Sequence, residues 1–287
     1  MVHLTLIQWN SMPLFTALQY PNVRQIVQRL GDAPMKRGSH GYGKHKGKTI
    51  AQASRAHLVD FVINARIHPA IALMDVVLAA NRDYNKQVIR HVERMRDEYP
   101  DLTFKKLGRM LSTKYPDARS FKEVWGHNDA RKYAVLTTLV ERINRMNGKA
   151  KFKADDFAFM SKWVAEVSLA LRHLDPLTSG NPYFAFASFQ HLRMTFGADT
   201  VKPDRRVKQV LLRDFSQLRD FGGRISDEKT VLAVEEIAAI LDCRILTIDQ
   251  IFVKYGSGHY AVNDRTVKTG ECIRCPRAEQ PSCRLSR

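Results

Sequence analysis

Residues 171–214 read LRHLDPLTSGNPYFAFASFQHLRMTFGADTVKPDRRVKQVLLRD. The apolar spacing before this stretch predicts a helix that ends near Leu174. A turn rich in Pro, Ser, Gly and Asn follows. A second, aromatic helix is expected from Tyr183 to Phe196, with Phe184, Phe186 and Phe189 mostly facing a core. Gly197 and a short extended segment come next, and Asp204 then opens a third helix, which is basic. Helix, tight turn, helix, loop, helix is the expected order of this stretch.

Outward from there the helical pattern continues and strand alternation is nearly absent. A helix is expected over Asn22–Leu30. Leu58, Phe61, Val62 and Ala65 recur at the spacing of one buried helix face. Pro69 suits the first turn of an apolar helix running to Asn81. Tyr84–Tyr99 is amphipathic, with Arg90, Arg94 and Arg96 among its polar positions. Thr103 can cap a helix through Met110, and Asn128 another with Tyr133, Leu136, Leu139, Val140 and Ile143 facing inward. Asp155 or Asp156 precedes a helix in which Phe159, Trp163, Val167 and Leu171 align. The expected fold class is all-α, with no internal repeat.

The chain has 287 residues, 44% of them hydrophobic, so it can bury a sizeable core. Its 46 Lys and Arg against 29 Asp and Glu leave a net charge of +17. Charge of that size favours an anionic partner. No stretch approaches the roughly 20 apolar residues of a membrane span, and no basic n-region precedes the apolar start. An intracellular protein, cytoplasmic or nucleoid-associated, that binds nucleic acid is therefore expected. Residues 31–48, GDAPMKRGSHGYGKHKGK, hold five glycines and five Lys or Arg. They read as a solvated basic linker or as an arm that folds onto phosphates, with Lys44 and Lys46 as contacts.

Two pieces of the opening stretch, LDPLTSGNPY and GADTVKPDRRV, resemble the helix-hairpin-helix DNA glycosylases, the superfamily of endonuclease III and the alkyladenine glycosylases. WGHNDARKYAVLTTLVERI (residues 125–143) is similar to the helix before that family's hairpin. LTIDQIFVKYGSGHY (residues 246–260) is similar to the helix leading into its iron–sulfur loop. The resemblance covers roughly residues 55–287, in the family's order. It implies a two-lobed helical domain over 55–256, with the lobes built from N- and C-terminal helices. An extension, 1–54, would precede it and a metal-cluster loop, 257–287, would follow.

The same resemblance implies base-excision repair chemistry on double-stranded DNA carrying a damaged, modified or mismatched base, by a monomer. Asp204 would be the catalytic aspartate, stabilising charge on the deoxyribose and directing water at C1′. The turn at Gly180 and Asn181, with Lys202, Arg205 and Arg206, would hold phosphates. Aromatics receive a flipped base, and Tyr183, Trp125 and Tyr42 are the candidates, with His127 beside them. Asp199, in the same loop as Asp204, is assigned to stabilising the turn.

Two departures from the family pattern matter. The turn has one glycine, Gly180, where the family has a GxG form. No lysine occurs between Lys162 and Lys202, so the family's Schiff-base nucleophile has no counterpart. The extended VKP segment points Lys202 away from that role. Hydrolysis leaving an abasic site is the expected outcome. The alternative is a non-catalytic DNA- or RNA-binding protein that keeps the fold and a structural metal.

Cys272, Cys275 and Cys283 lie in ECIRCPRAEQPSC, and Cys243 is the only other cysteine. Four thiols suit a 4Fe–4S cluster, which the resemblance favours, with Cys243 in place of the family's first ligand. Zinc is the rival, with His259 able to replace Cys243.

Overall fold

The structure, a computed structural model, describes residues 13–36, 47–82, 84–149 and 155–258. Among them are twelve α-helices and no strand, so the fold class is all-α as expected. No helix among the described residues is long and apolar enough to cross a membrane. The described chain divides into two compact units. One is Asp60–Ala198; the other joins Pro13–Val59 to the chain from Asp199.

The first unit is built around α3 (Pro69–Ala79). Pro69 starts it, and nine of its eleven residues are buried. A helix that is apolar on every side is stable only inside other helices. Here α4 (Ile89–Glu98), α5 (Phe104–Arg109), α7 (Ala130–Lys149), α8 (Asp156–Glu166) and α9 (Phe186–Thr195) pack on it. Between α5 and α7 lies α6 (Ala118–Trp125), capped by Asp117 through the Ser120 amide. The C-terminal carbonyls of α3 are satisfied by a cation: Lys132 Nζ donates to Val77 O at 3.0 Å, to Leu78 O at 2.9 Å and also to Ala80 O.

Several expected boundaries move. The cap of α7 is Asp129, whose Oδ1 accepts the Lys132 N–H, and not Asn128. Leu136, Leu139, Val140 and Ile143 face the core as expected. The helix expected to run to about Leu174 stops at Glu166, and Leu171 is 56% exposed. In its place a single 3₁₀ turn, Arg172–Leu174, precedes the Pro-Gly turn. Buried Asp175 accounts for the change: its carboxylate accepts the Trp163 indole N–H at 2.9 Å, together with the Thr178 amide and hydroxyl. The chain folds back onto α8 and does not extend it. The next helix begins at Phe186 instead of Tyr183, because Asn181–Phe184 form a turn with Pro182 at its second position and the Phe184 N–H bonded to Asn181 O.

The second unit contains α1 (Tyr20–Asp32), the start of α2 (Ile50–Ile67), α10 (Arg205–Asp214), α11 (Asp227–Leu241) and α12 (Ile245–Gly256). Residues 13–36 and 47–54, expected as part of a separate extension, belong to this unit. The Leu14 and Phe15 amides donate to the Glu236 carboxylate at 2.7 and 2.8 Å. The fully buried Phe15 ring lies 6.0 Å from that of Phe215, which lies 5.7 Å from that of Phe252. Residue 54 marks no boundary, since α2 runs through it.

The approach of α10 to α12 is close enough to require a glycine. A Cβ at Gly256 would lie 2.7 Å from the Arg206 carbonyl oxygen. Backbone cannot retreat as a flexible side chain does. Gly256→Ala is therefore expected to destabilise the protein by about 1–3 kcal/mol, read as a lower urea midpoint at unchanged slope.

Candidate catalytic and nucleic-acid site

The candidate catalytic segment is Val201–Lys202–Pro203–Asp204, held in the second unit. Val201 is fully buried. Pro203 keeps Lys202 out of the helical region, and the Asp204 N–H closes back on Lys202 O at 2.7 Å. Asp204 is itself extended and caps α10: its Oδ1 accepts the N–H groups of Arg206 at 2.8 Å and Val207 at 3.1 Å. Its Oδ2 accepts no hydrogen bond among the described residues. The carboxylate is half-buried, while Arg205 is exposed and Arg206 half-buried on the first turn beside it. Val207, Val210 and Leu211 bury the opposite face of α10. Asp204, Lys202, Arg205 and Arg206 thus come together at one helix N-terminus, with a carboxylate oriented by backbone amides.

Behind them is a group the sequence reading missed. Asp249, on α12, is 1% exposed. Its Oδ1 accepts the Lys202 N–H at 3.2 Å, and its Oδ2 accepts the Gln250 side-chain amide at 3.0 Å. The Gln250 carbonyl oxygen in turn accepts from Lys254 Nζ at 3.0 Å, and Lys254 is fully buried. Burial first, and then the negative charge of Asp204, push the Asp249 carboxyl up to about 7. The signal for this cluster is the polar trio 249, 250 and 254 inside the otherwise apolar ILTIDQIFVKYG. Polar groups buried in such a helix need partners.

Asp199 has a structural role, but at a distant helix. Its carboxylate accepts the amides of Ile245 at 3.3 Å and Leu246 at 3.0 Å, and Arg244 Nε lies 3.7 Å away. It replaces the missing cap of α12, whose own flanking residue, Arg244, makes no side-chain cap.

The turn expected to grip phosphate lies in the first unit and is rigidly held. Arg142 Nη1 donates to Leu177 O at 3.1 Å and Ser179 O at 2.6 Å. Gly180 has φ 65°, and a Cβ there would meet nothing within 4 Å, so it is needed for its backbone alone. Asn181 is half-buried, and its Oδ1 accepts the Tyr183 N–H. Tyr183 is 53% exposed, with the Arg131 guanidinium 5.5 Å from its ring centre. It stands in the turn, with a ring accessible for stacking.

Trp125 has no such access. It is fully buried, its ring centre 5.0 Å from that of Phe121, and its indole N–H donates to His127 O. It is a core residue, the ordinary fate of an aromatic at helical spacing. His127 packs edge-on against His91 at 4.8 Å and its Nε2 bonds Gln87 O. Burial and the surrounding positive charges keep the His91 imidazole neutral, lowered to about 4.

Of the expected metal ligands, Cys243 is exposed in the turn between α11 and α12. Burial on one side and the charges of Asp199 and Asp242 push its thiol up. No group of three or more His, Cys, Asp or Glu among the described residues is arranged to hold a metal. Tyr42, Lys44, Lys46, His259, Cys272, Cys275 and Cys283 lie outside the described residues. Comparison with family models, curated proteins and solved structures finds no match.

Proposed function

We propose that the protein is a monofunctional DNA glycosylase that removes an altered or mismatched base from a flipped nucleotide. The observation that carries this reading is the Asp204 carboxylate, fixed through one oxygen by two α10 amides and flanked by Lys202, Arg205 and Arg206. Its other oxygen can face a cationic sugar while the flanking cations hold phosphate. In the reaction the C1′–N bond breaks and the base leaves with the electron pair. Water oxygen bonds to C1′, and the water's proton passes by way of the Asp204 carboxylate to solvent or the departing base. Within the first unit, taken by itself, the hairpin-like turn at Gly180 is a candidate phosphate contact and exposed Tyr183 a candidate stacking surface.

The test is incubation of the full chain with duplexes that each hold one lesion or mismatch, followed by alkali. Strand breaks at one of them, with the free base found by mass spectrometry, are the expected result. Binding that weakens steeply with salt, with no base released from any duplex, would replace this reading with that of a non-catalytic nucleic-acid-binding protein.

We also propose that Cys272, Cys275 and Cys283 join Cys243 in a 4Fe–4S cluster with a structural role. The cysteine count and spacing support it. A bound cation would favour the Cys243 thiolate against the burial and the Asp199 and Asp242 charges that push the thiol up. Anaerobically purified protein is expected to be brown, with broad visible absorbance and about four irons per chain. A colourless protein with stoichiometric zinc would overturn the cluster.

A further inference from the structure

Asp249 has features that a residue needed only for packing would lack. A carboxyl in the interior of a helix–helix interface is costly, and an apolar residue of similar size would fill the space. It stands at the position where α12 passes behind the Lys202–Asp204 segment. It bonds the backbone of that segment directly, through the Lys202 amide. Its second oxygen is tied through Gln250 to buried Lys254, so the carboxyl cannot rotate freely.

We propose that Asp249 is a positioning residue for Asp204, the second carboxyl of a pair in which one member is buried and the other faces the substrate. It anchors the Lys202 amide and thereby the turn that delivers Asp204 to the head of α10. This rests on the reading of Asp204 as the catalytic group.

The charged groups acting on Asp249 are few. Asp204 faces it from α10, and Lys202 from the loop. On its own helix are Gln250 and, beyond it, Lys254. The buried faces that α1 and α11 bring to the unit carry no charged group: Val23, Val27 and Leu30 from one, Val231, Val234 and Ile237 from the other, with Thr230, whose hydroxyl donates to Ser226 O. Below neutral pH Asp249 therefore holds its proton. As the pH rises, Asp249 ionises and the two carboxylates repel. Paired carboxyls behave as one titrating unit.

Two measurements test this on the full chain, one of them independent of activity. In protein carrying ¹³Cγ-labelled aspartate, one carboxyl signal is expected to titrate near neutral pH and to vanish in Asp249→Asn. Its midpoint should fall in Asp204→Asn. A signal that titrates in the ordinary carboxylate range, or one indifferent to Asp204→Asn, overturns the proposal.

On a duplex from which base is released, the pH profile of kcat should show an inflexion near neutrality that Asp249→Asn lacks. Asp249→Leu, which cannot accept the Lys202 N–H, should lower kcat by roughly 10- to 100-fold at unchanged KM. Asp249→Asn should recover most of that loss below the inflexion. A residue that only packs would change the melting temperature and leave the pH profile as it is, and that outcome also overturns the proposal. If no duplex yields free base while the paired titration is present, the glycosylase reading falls and the carboxyl pairing stands.

Discussion

Asp204→Asn is expected to abolish base release, lowering kcat by roughly 10²- to 10⁴-fold, while the protein stays folded. Asparagine is as good a helix cap as aspartate. Its side-chain oxygen can accept the same two amides, Arg206 and Val207, that Oδ1 of Asp204 accepts. The change removes the negative charge and the capacity to take a proton. Stability should fall by no more than about 1 kcal/mol, the part that comes from a charge at a helix N-terminus. The prediction separates the two roles of this residue. A cap alone would leave the rate untouched; a catalytic carboxylate would not. Equal rates for Asp204→Asn and wild type on a cleavable duplex would end the catalytic assignment.

Asp249→Asn is expected to change how stability depends on pH. In the folded protein burial and Asp204 raise this carboxyl to about 7 from an ordinary value of 3.8. Between those values the folded state holds a proton that the unfolded state has released. Stability attributable to Asp249 is therefore complete below about pH 4. It is lost progressively as the pH rises to about 7, at about 1.4 kcal/mol per pH unit, and changes no further above that. Asparagine has no proton to lose and accepts the Lys202 N–H in the same way. Measured by urea unfolding, wild type should lose on the order of 4 kcal/mol relative to Asp249→Asn between pH 4 and pH 8. Parallel curves for the two proteins would show that Asp249 is ionised in the fold throughout. A higher midpoint for the variant at pH 8 than for wild type is the simplest single observation in favour.

These predictions separate what was readable in the chain from what was not. The helix headed by Asp204 was readable because its signals are local: an aspartate after a proline, then a basic stretch with Val207, Val210 and Leu211 on one face. The caps at Thr103 and Asp155 were readable for the same reason. The α7 cap differs by one residue from the expectation because Asn128 and Asp129 are both good caps and only geometry chooses between them. The helix before the turn is shorter than the pattern predicts because Leu171 continues the apolar spacing of α8 beyond its end at Glu166. What ends that helix is a carboxylate, Asp175, reaching back to Trp163, and periodicity carries no trace of it. Trp125 is a pocket candidate by its type alone, and type does not distinguish a core ring from an exposed one.

Composition and local pattern were enough for an all-helical chain of high positive charge, with a capped basic helix as the place to look for chemistry. Those properties depend on residues within a few positions of one another, where backbone geometry leaves few choices. Three features depended on the packed chain. Asp199 caps a helix 46 residues away, Glu236 binds the amides of Leu14 and Phe15, and Asp249 stands behind Asp204. Each is a carboxylate meeting backbone N–H groups across a long sequence separation. The sequence shows that such a side chain exists and needs a partner, but only the packing of α1, α10, α11 and α12 determines which amide comes within reach.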